Sequence, residues 1–281
     1  MENNANRTSI LLFVILIVLT LFQVGCSNTT KNNVSESDIE SPNSISQSEN
    51  DKVYPSDVIP YFDQWKILLG DGTSSSDLIN FVHNDYFYAE NDGSDWVVYK
   101  TPNSGITSRT SSNTRSELGQ KEQWLPKTGG KLTGTLKVMH VSTSGDARVA
   151  ASYSVVVGQI HSDDGHENEP LKIFYKKFPG HTKGSVFWNY EINTEGDNSE
   201  RWDYSSAVWG HDMSVVGSGP TEYPEEPSDG IELGEEFSYE INVYEGIMYL
   251  TFTSEGHESK SFKKIWCHQI SLFTQLFLSK F

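Results

Sequence analysis

Two runs of strict alternation, Phe237–Tyr244 and Ile247–Ser254, flank the dipeptide Glu245-Gly246. Apolar side chains at every second residue turn one face of an extended chain into a core and leave the other to water. A glycine-bearing dipeptide between two such runs is a hairpin signal. Similar runs recur at Trp96–Tyr99, Leu132–Val141, Arg148–Ile160, Leu171–Lys177 and Ser185–Ile192, separated by Gly, Asp, Asn and Ser clusters. Helical periodicity is confined to a short candidate at Pro60–Ile67 and to the C-terminal tail, and no repeat of solenoid or propeller period is present. The expected class is all-β, with two stacked sheets and one concave face.

The N-terminus reads as targeting rather than fold. Arg7 precedes the apolar run Ile10–Phe22, which is short for a membrane span, and Val24-Gly25-Cys26-Ser27 follows. A small residue before Cys is what a bacterial lipoprotein signal peptidase accepts. Residues 1–25 are therefore expected to be a signal peptide and Cys26 the lipid attachment point, with simple secretion or an uncleaved anchor as alternatives. Residues 26–52 are rich in Ser, Asn, Glu and Lys and form a flexible tether. One β-sandwich domain is expected over 53–262 and an atypical tail over 263–281. The expected location is the bacterial cell envelope, lipid-anchored and facing the periplasm or the cell surface. The chain has two cysteines; with Cys26 acylated, Cys267 has no partner and the fold stands on its core. The formal charge of −17 argues against nucleic acid as a partner. It does not decide against an anionic ligand, because a cation-lined cleft focuses its own field.

Two strings carry the chemistry, N-T-R-S-E-L at Asn113–Leu118 and V-V-V-G-Q-I-H at Val155–His161. Alternation places Val155, Val157, Gln159 and His161 on one face of a strand and Val156, Gly158 and Ile160 on the other. Gln and His are poor core residues without partners, so the odd-numbered face opens into a groove at its Gln-His end; a histidine ending a strand at the surface fits the same pattern. Arg115 and Glu117 also share a face when extended. The guanidinium fork suits a carboxylate, and a surface ion pair is the plainer use of the two. Lys172, Phe174 and Lys176 share a face that could track an anionic chain or simply be solvated. Trp188, Trp202, Trp209 and Tyr190 could stack on sugar rings or fill a core. His166, Glu167 and Glu169 match no tight ligand spacing, so no metal and no cofactor is expected. Nucleophile-elbow, phosphate-loop and dinucleotide signatures are lacking, and Glu225-Glu226 and Glu235-Glu236 do not form a retaining-glycosidase motif.

N-T-R-S-E-L and G-Q-I-H, in this order, resemble polysaccharide lyase family 7, the alginate lyases. Lys172–Asn193, Trp202–Ser214 and L-G-E-E-F-S-Y-E-I-N at Leu233–Asn242 extend the resemblance, which runs from near Tyr54 to near Phe262. It implies a jelly-roll, concanavalin-like β-sandwich with a concave cleft for alginate, acting as a monomer. It implies β-elimination, in which a proton leaves C5 of a uronate and the 4-O-glycosidic bond breaks to leave an unsaturated end. The implied catalytic residues are Arg115 and Gln159, which neutralise the uronate carboxylate and the developing enediolate, and His161 as base. Glu117, Lys172, Lys176, Trp188 and Tyr190 complete the expected substrate-binding set.

Two departures stand out. Gly119 stands where the family often has a second Arg, and the late motif Y-x-K-x-G-x-Y-x-Q, which supplies the catalytic Tyr, is absent. From Ser259 onward there is no Asp, Glu or Gly, and Trp266, Ile270, Phe273 and Phe277 have helical spacing. The expectation is a frameshift or early stop that removed the last strands, leaving a central strand of the cleft missing and its neighbours unpaired; a divergent ending is the alternative. Three readings follow: a surface-anchored alginate lyase, a non-catalytic uronate-binding lipoprotein, or an inactive truncated remnant.

Overall fold

The computed structural model describes residues 52–107, 113–162, 170–194, 197–265 and 272–277. The signal segment, Cys26, nearly all of the tether, the cluster at His166–Glu169, Trp266, Cys267 and Ile270 lie outside the described residues, as does the side chain of Trp202.

Among the described residues, helix is limited to one turn, α1 (Pro55–Val58), and a 3-10 turn at Phe62–Gln64. The helix expected over Pro60–Ile67 is not formed. Tyr61 sits at φ 58°, in the left-handed region, and Trp65 already begins a strand that pairs with a neighbour. The strands in chain order are β1 (Trp65–Leu68), β2 (Ser74–Ser75), β3 (Phe87–Ala89), β4 (Val97–Tyr99), β5 (Glu117–Gln120), β6 (Gly130–Lys137), β7 (Ser154–Ser162) and β8 (Leu171–Lys176). They continue with β9 (Lys183–Thr194), β10 (Asp197–Trp209), β11 (Ile231–Glu232), β12 (Glu236–Tyr244), β13 (Ile247–Ser254), β14 (Lys260–Ile265) and β15 (Leu272–Phe277).

The larger sheet has the order β10-β9-β8-β7-β15-β5-β1-β2, with β11 paired beside β9; the smaller runs β14-β13-β12-β6; β3 and β4 form a separate hairpin. The two sheets pack face to face as a jelly-roll sandwich. Val157, Ile160, Ile173, Tyr175, Val186 and Trp188 of the larger sheet meet Leu136, Phe237, Tyr239, Ile241, Leu250 and Phe252 of the smaller in one buried cluster. A second cluster, Phe62, Ile67, Leu69, Leu78, Phe87, Tyr99 and Leu118, anchors β1 and β5. Burial of such clusters, at roughly 25 cal/mol per Å² of apolar surface, is the main term holding the sandwich together. The hairpin read from Glu245-Gly246 joins β12 to β13, with Tyr244 opposite Ile247.

The central position of the larger sheet is filled. β15 lies between β7 and β5, Gln275 facing Gln159 on one side and Gly119 on the other. This corrects the expectation of an empty position beside a helical tail. The reason is backbone chemistry: β5 and β7 each present a row of N–H and C=O groups, and an extended segment satisfies them whatever its side chains.

Candidate active site

A bulge in β7 decides which of its side chains face the groove. The pairing of β7 with β8 slips between Val156 and Gly158, and Val157 is the extra residue. Val156 therefore lines the groove, Val157 is buried in the core, and Gly158 faces the core against Tyr239. The expected faces of Val156 and Val157 are thus exchanged, and Val155, also expected to face the groove, both touches it and packs against the core. Gly158 must lack a side chain, because a Cβ there would lie 2.6 Å from the Tyr239 hydroxyl. Beyond the bulge the alternation resumes, with Ile160 in the core and Gln159 on the groove face. His161 shares the strand face of Gln159, is half-buried and stands opposite Phe273 in register.

A polar row crosses the floor. Gln159 of β7 is in register with Lys172 of β8, Lys172 with Asn189 of β9, and Asn189 with Ser205 of β10. Arg115 enters from the segment just before β5. Its string is pinned by its own hydroxyls: Thr114 Oγ1 donates to the Pro102 carbonyl at 2.6 Å, the Ser116 hydroxyl donates to the Lys100 carbonyl, and Ser116 N–H donates to Thr101 Oγ1 at 3.1 Å. Leu118 is buried in the second core cluster, so Glu117 turns to the opposite side, where it lies 3.4 Å from Arg115.

Arg115, Gln159 and Lys172 line one cavity of about 780 Å³. Phe174 and Met213 share its lining with Asn103, His140 and Ser142. The segments 101–104 and 140–143 are joined by a hydrogen bond from Asn103 Nδ2 to Ser142 Oγ at 3.0 Å. Lys172 Nζ lies 3.9 Å from Glu191 Oε2. The groove thus gathers two cations, Arg115 and Lys172, three carboxamides, Asn103, Asn113 and Gln159, and the imidazole of His140, on walls and floor that otherwise belong to an acidic protein; His161 is not among the residues that line the cavity. That set can hold a carboxylate while leaving its α-carbon open to a base. Among the described residues, no group of three or more His, Cys, Asp or Glu is placed to hold a metal ion.

Several expected binding residues lie elsewhere. Trp188 and Tyr190 alternate with Phe187, Asn189 and Glu191 on β9, and both are turned into the core between the sheets, 6% and 1% exposed. Trp188 packs edge-on against Phe262, and the ammonium of Lys264 lies 4.7 Å from the Tyr190 ring. Trp209 is likewise buried, donating its Nε1–H to the Glu258 carbonyl at 3.0 Å. None of these rings is available to a sugar. Lys176 is buried below the groove rather than lining it, and Glu117 is buried beside Arg115. In their place Asn103, His140 and Ser142 line the cavity, and Asn189 lies beside Lys172 in register on the neighbouring strand. Asn189 could have been found, since Asn189 and Glu191 mark the polar face of β9; the other three come from connecting segments with no sequence signal.

The model of the alginate lyase family matches residues 60–275. The chain belongs to the alginate lyase family, polysaccharide lyase family 7. It is 65% identical to the exolytic family 7 alginate lyase AlyA5 of Zobellia galactanivorans, over 81% of this chain and 83% of that one, with a TM-score of 0.75. A curated alginate lyase of Klebsiella pneumoniae is 31% identical over 204 residues, 63% of this chain, and the chain spans 62% of that relative's length. The solved alginate lyase of Klebsiella pneumoniae shares the fold, with a TM-score of 0.65 at 23% identity over 80% of this chain and 90% of that one. The family match reaches Gln275, within β15.

Proposed function

We propose that this chain cleaves alginate by β-elimination in the groove that carries Arg115 and Gln159. The observation that carries the reading is the convergence of Arg115, Gln159 and Lys172 on one cavity, with His161 two residues further along the face of Gln159. The C5 proton of a uronate becomes removable only when the adjacent carboxylate is neutralised. Arg115 and Gln159 donate to that carboxylate and carry the enediolate charge that develops on it. His161 takes the C5 proton, and the electron pair left at C5 forms the C4–C5 double bond as the C4–O bond breaks. Glu117, fixed 3.4 Å from Arg115, orients the guanidinium. Lys172 attracts the neighbouring uronate.

The tyrosine-bearing motif of the family is absent, and β15 reads Leu-Phe-Thr-Gln-Leu-Phe. Protonation of the departing O4 then falls to water, and turnover is slow. That one feature also favours the second reading, a protein that holds uronates without cutting them. The 65% identity to an exolytic enzyme, together with the bridged segments 101–104 and 140–143, supports attack from chain ends. We place the chain, by its N-terminal sequence, on the bacterial envelope as a lipid-anchored protein.

Incubation with mannuronate-rich, guluronate-rich and mixed alginate tests the reading. A rise in ultraviolet absorbance from unsaturated uronate, with small products appearing while the polymer stays viscous, is expected. A flat trace with retardation in an alginate gel selects the binding reading, and a flat trace without retardation rejects both.

A further inference from the structure

Lys176 does not line the groove, yet it holds two segments that do. Its Nζ donates to the Ala150 carbonyl at 2.8 Å and lies 3.4 Å from the Val215 carbonyl, with the Phe178 ring 4.7 Å away. Ala151 follows the first acceptor, Met213 stands two residues before the second, and both line the groove. The side chain is only 4% exposed, and loss of water holds its pKa down to about 8. A methionine would fill this space without that desolvation cost, so packing alone does not account for a lysine.

The two segments already form one body. Ala147 N–H donates to the Pro220 carbonyl at 2.9 Å and Gly217 N–H to the Ala147 carbonyl at 2.8 Å. Around this body the small cluster Ala147, Tyr153 and Phe178 packs with Tyr223. Met213 is tied to the floor in turn: its N–H donates to Ser205 Oγ at 2.9 Å, and Asn189 Nδ2 lies 2.7 Å from its sulfur. Lys176 completes the tie from the floor strand β8 to the wall.

We infer that Lys176 is a positioning residue for uronate binding, an ammonium clamp that fixes the Ala151 and Met213 wall at the width a pyranose chain needs above β8 and β9. The inference rests on the proposed uronate function. Lys176→Met removes the donors and keeps an apolar stem of similar length, and Lys176→Arg keeps charge and donors. With alginate oligosaccharides as the probe, Lys176→Met raises KM, or the Kd measured by calorimetry, about tenfold while kcat stays within about twofold. Amide exchange accelerates at residues 146–152 and 212–217 in the same variant, and Lys176→Arg recovers most of the lost affinity. Unchanged affinity in Lys176→Met against a wild type that binds overturns the inference, as does unchanged exchange in both segments. A wild type that neither binds nor cleaves the oligosaccharides overturns the proposed function instead, and the exchange rates then decide for or against the clamp by themselves.

Discussion

The Tyr239 hydroxyl reaches across the sandwich and donates to the Val157 carbonyl at 3.0 Å. Both residues are buried, and Gly134 and Gly158 lie against the tyrosine ring. This contact holds the bulge that turns Gln159 toward the groove. Gly158→Ala forces a methyl to within 2.6 Å of the hydroxyl. The expected cost is about 1–3 kcal/mol, seen as a lower midpoint in urea unfolding, with turnover falling as Gln159 is displaced.

In the proposed β-elimination, Gln159 and Arg115 act on developing charge rather than on ground-state binding alone. Gln159→Ala is expected to lower kcat roughly 10²–10³-fold with little change in the melt. Arg115→Lys keeps the charge but loses the planar fork, so it should fall well short of wild type. Rates of unsaturated-uronate formation check both; wild-type rates in either variant would remove that residue from the chemistry.

Trp188 and Tyr190 belong to the core, so their loss should be read in stability. Trp188→Ala is expected to cost about 3–5 kcal/mol, and Tyr190→Ala a comparable amount. The folded fraction should bind alginate as before. Thermal melts and gel retardation separate the two effects, and a specific loss of binding with an unchanged melt would return these rings to the groove.

Lys176 gives stability a pH dependence of known sign. Its native pKa is about 8, against an ordinary 10.5. Between these values the unfolded chain binds the proton and the native state does not, so stability rises with pH across that window. Above about pH 10 the trend reverses. Burial raises the pKa of Tyr99, Tyr175 and Tyr239, so unfolded tyrosines ionise first and favour unfolding. Urea midpoints measured from about pH 7 to about pH 10 should climb in the wild type and flatten in Lys176→Met. Identical slopes would show that this ammonium is not desolvated.

The architecture was legible where side-chain alternation decides it. The runs Phe237–Tyr244 and Ile247–Ser254 became β12 and β13 within a residue of their read ends. Gln159 was legible as a polar group on a strand; Arg115, read as strand, lies just before β5, and the two do share a cavity. The reading failed where a distant partner sets the outcome. The bulge at Val157 is bonded through its carbonyl to Tyr239 of the other sheet, a partner 82 residues away in sequence. On β9 both faces carry aromatics, so the stacking platform was sought on the wrong one, although Asn189 and Glu191 mark the polar side. His140, Asn103 and Ser142 reach the groove through connecting segments whose course no local pattern encodes. The position of β15 was missed because it answers to open backbone edges rather than to any side-chain motif.

The seat of β15 has a consequence for how the molecule is made. Its two flanking partners, β5 (Glu117–Gln120) and β7 (Ser154–Ser162), lie far upstream of Leu272–Phe277 in the chain, so both pairings are non-local. Until β15 docks, the groove face has a seam down its middle, with Gln159 on one lip and Arg115 near the other. Pairing over so long a sequence separation is intrinsically slow to form, so an extended peptide that occupied the seam first would keep the groove open.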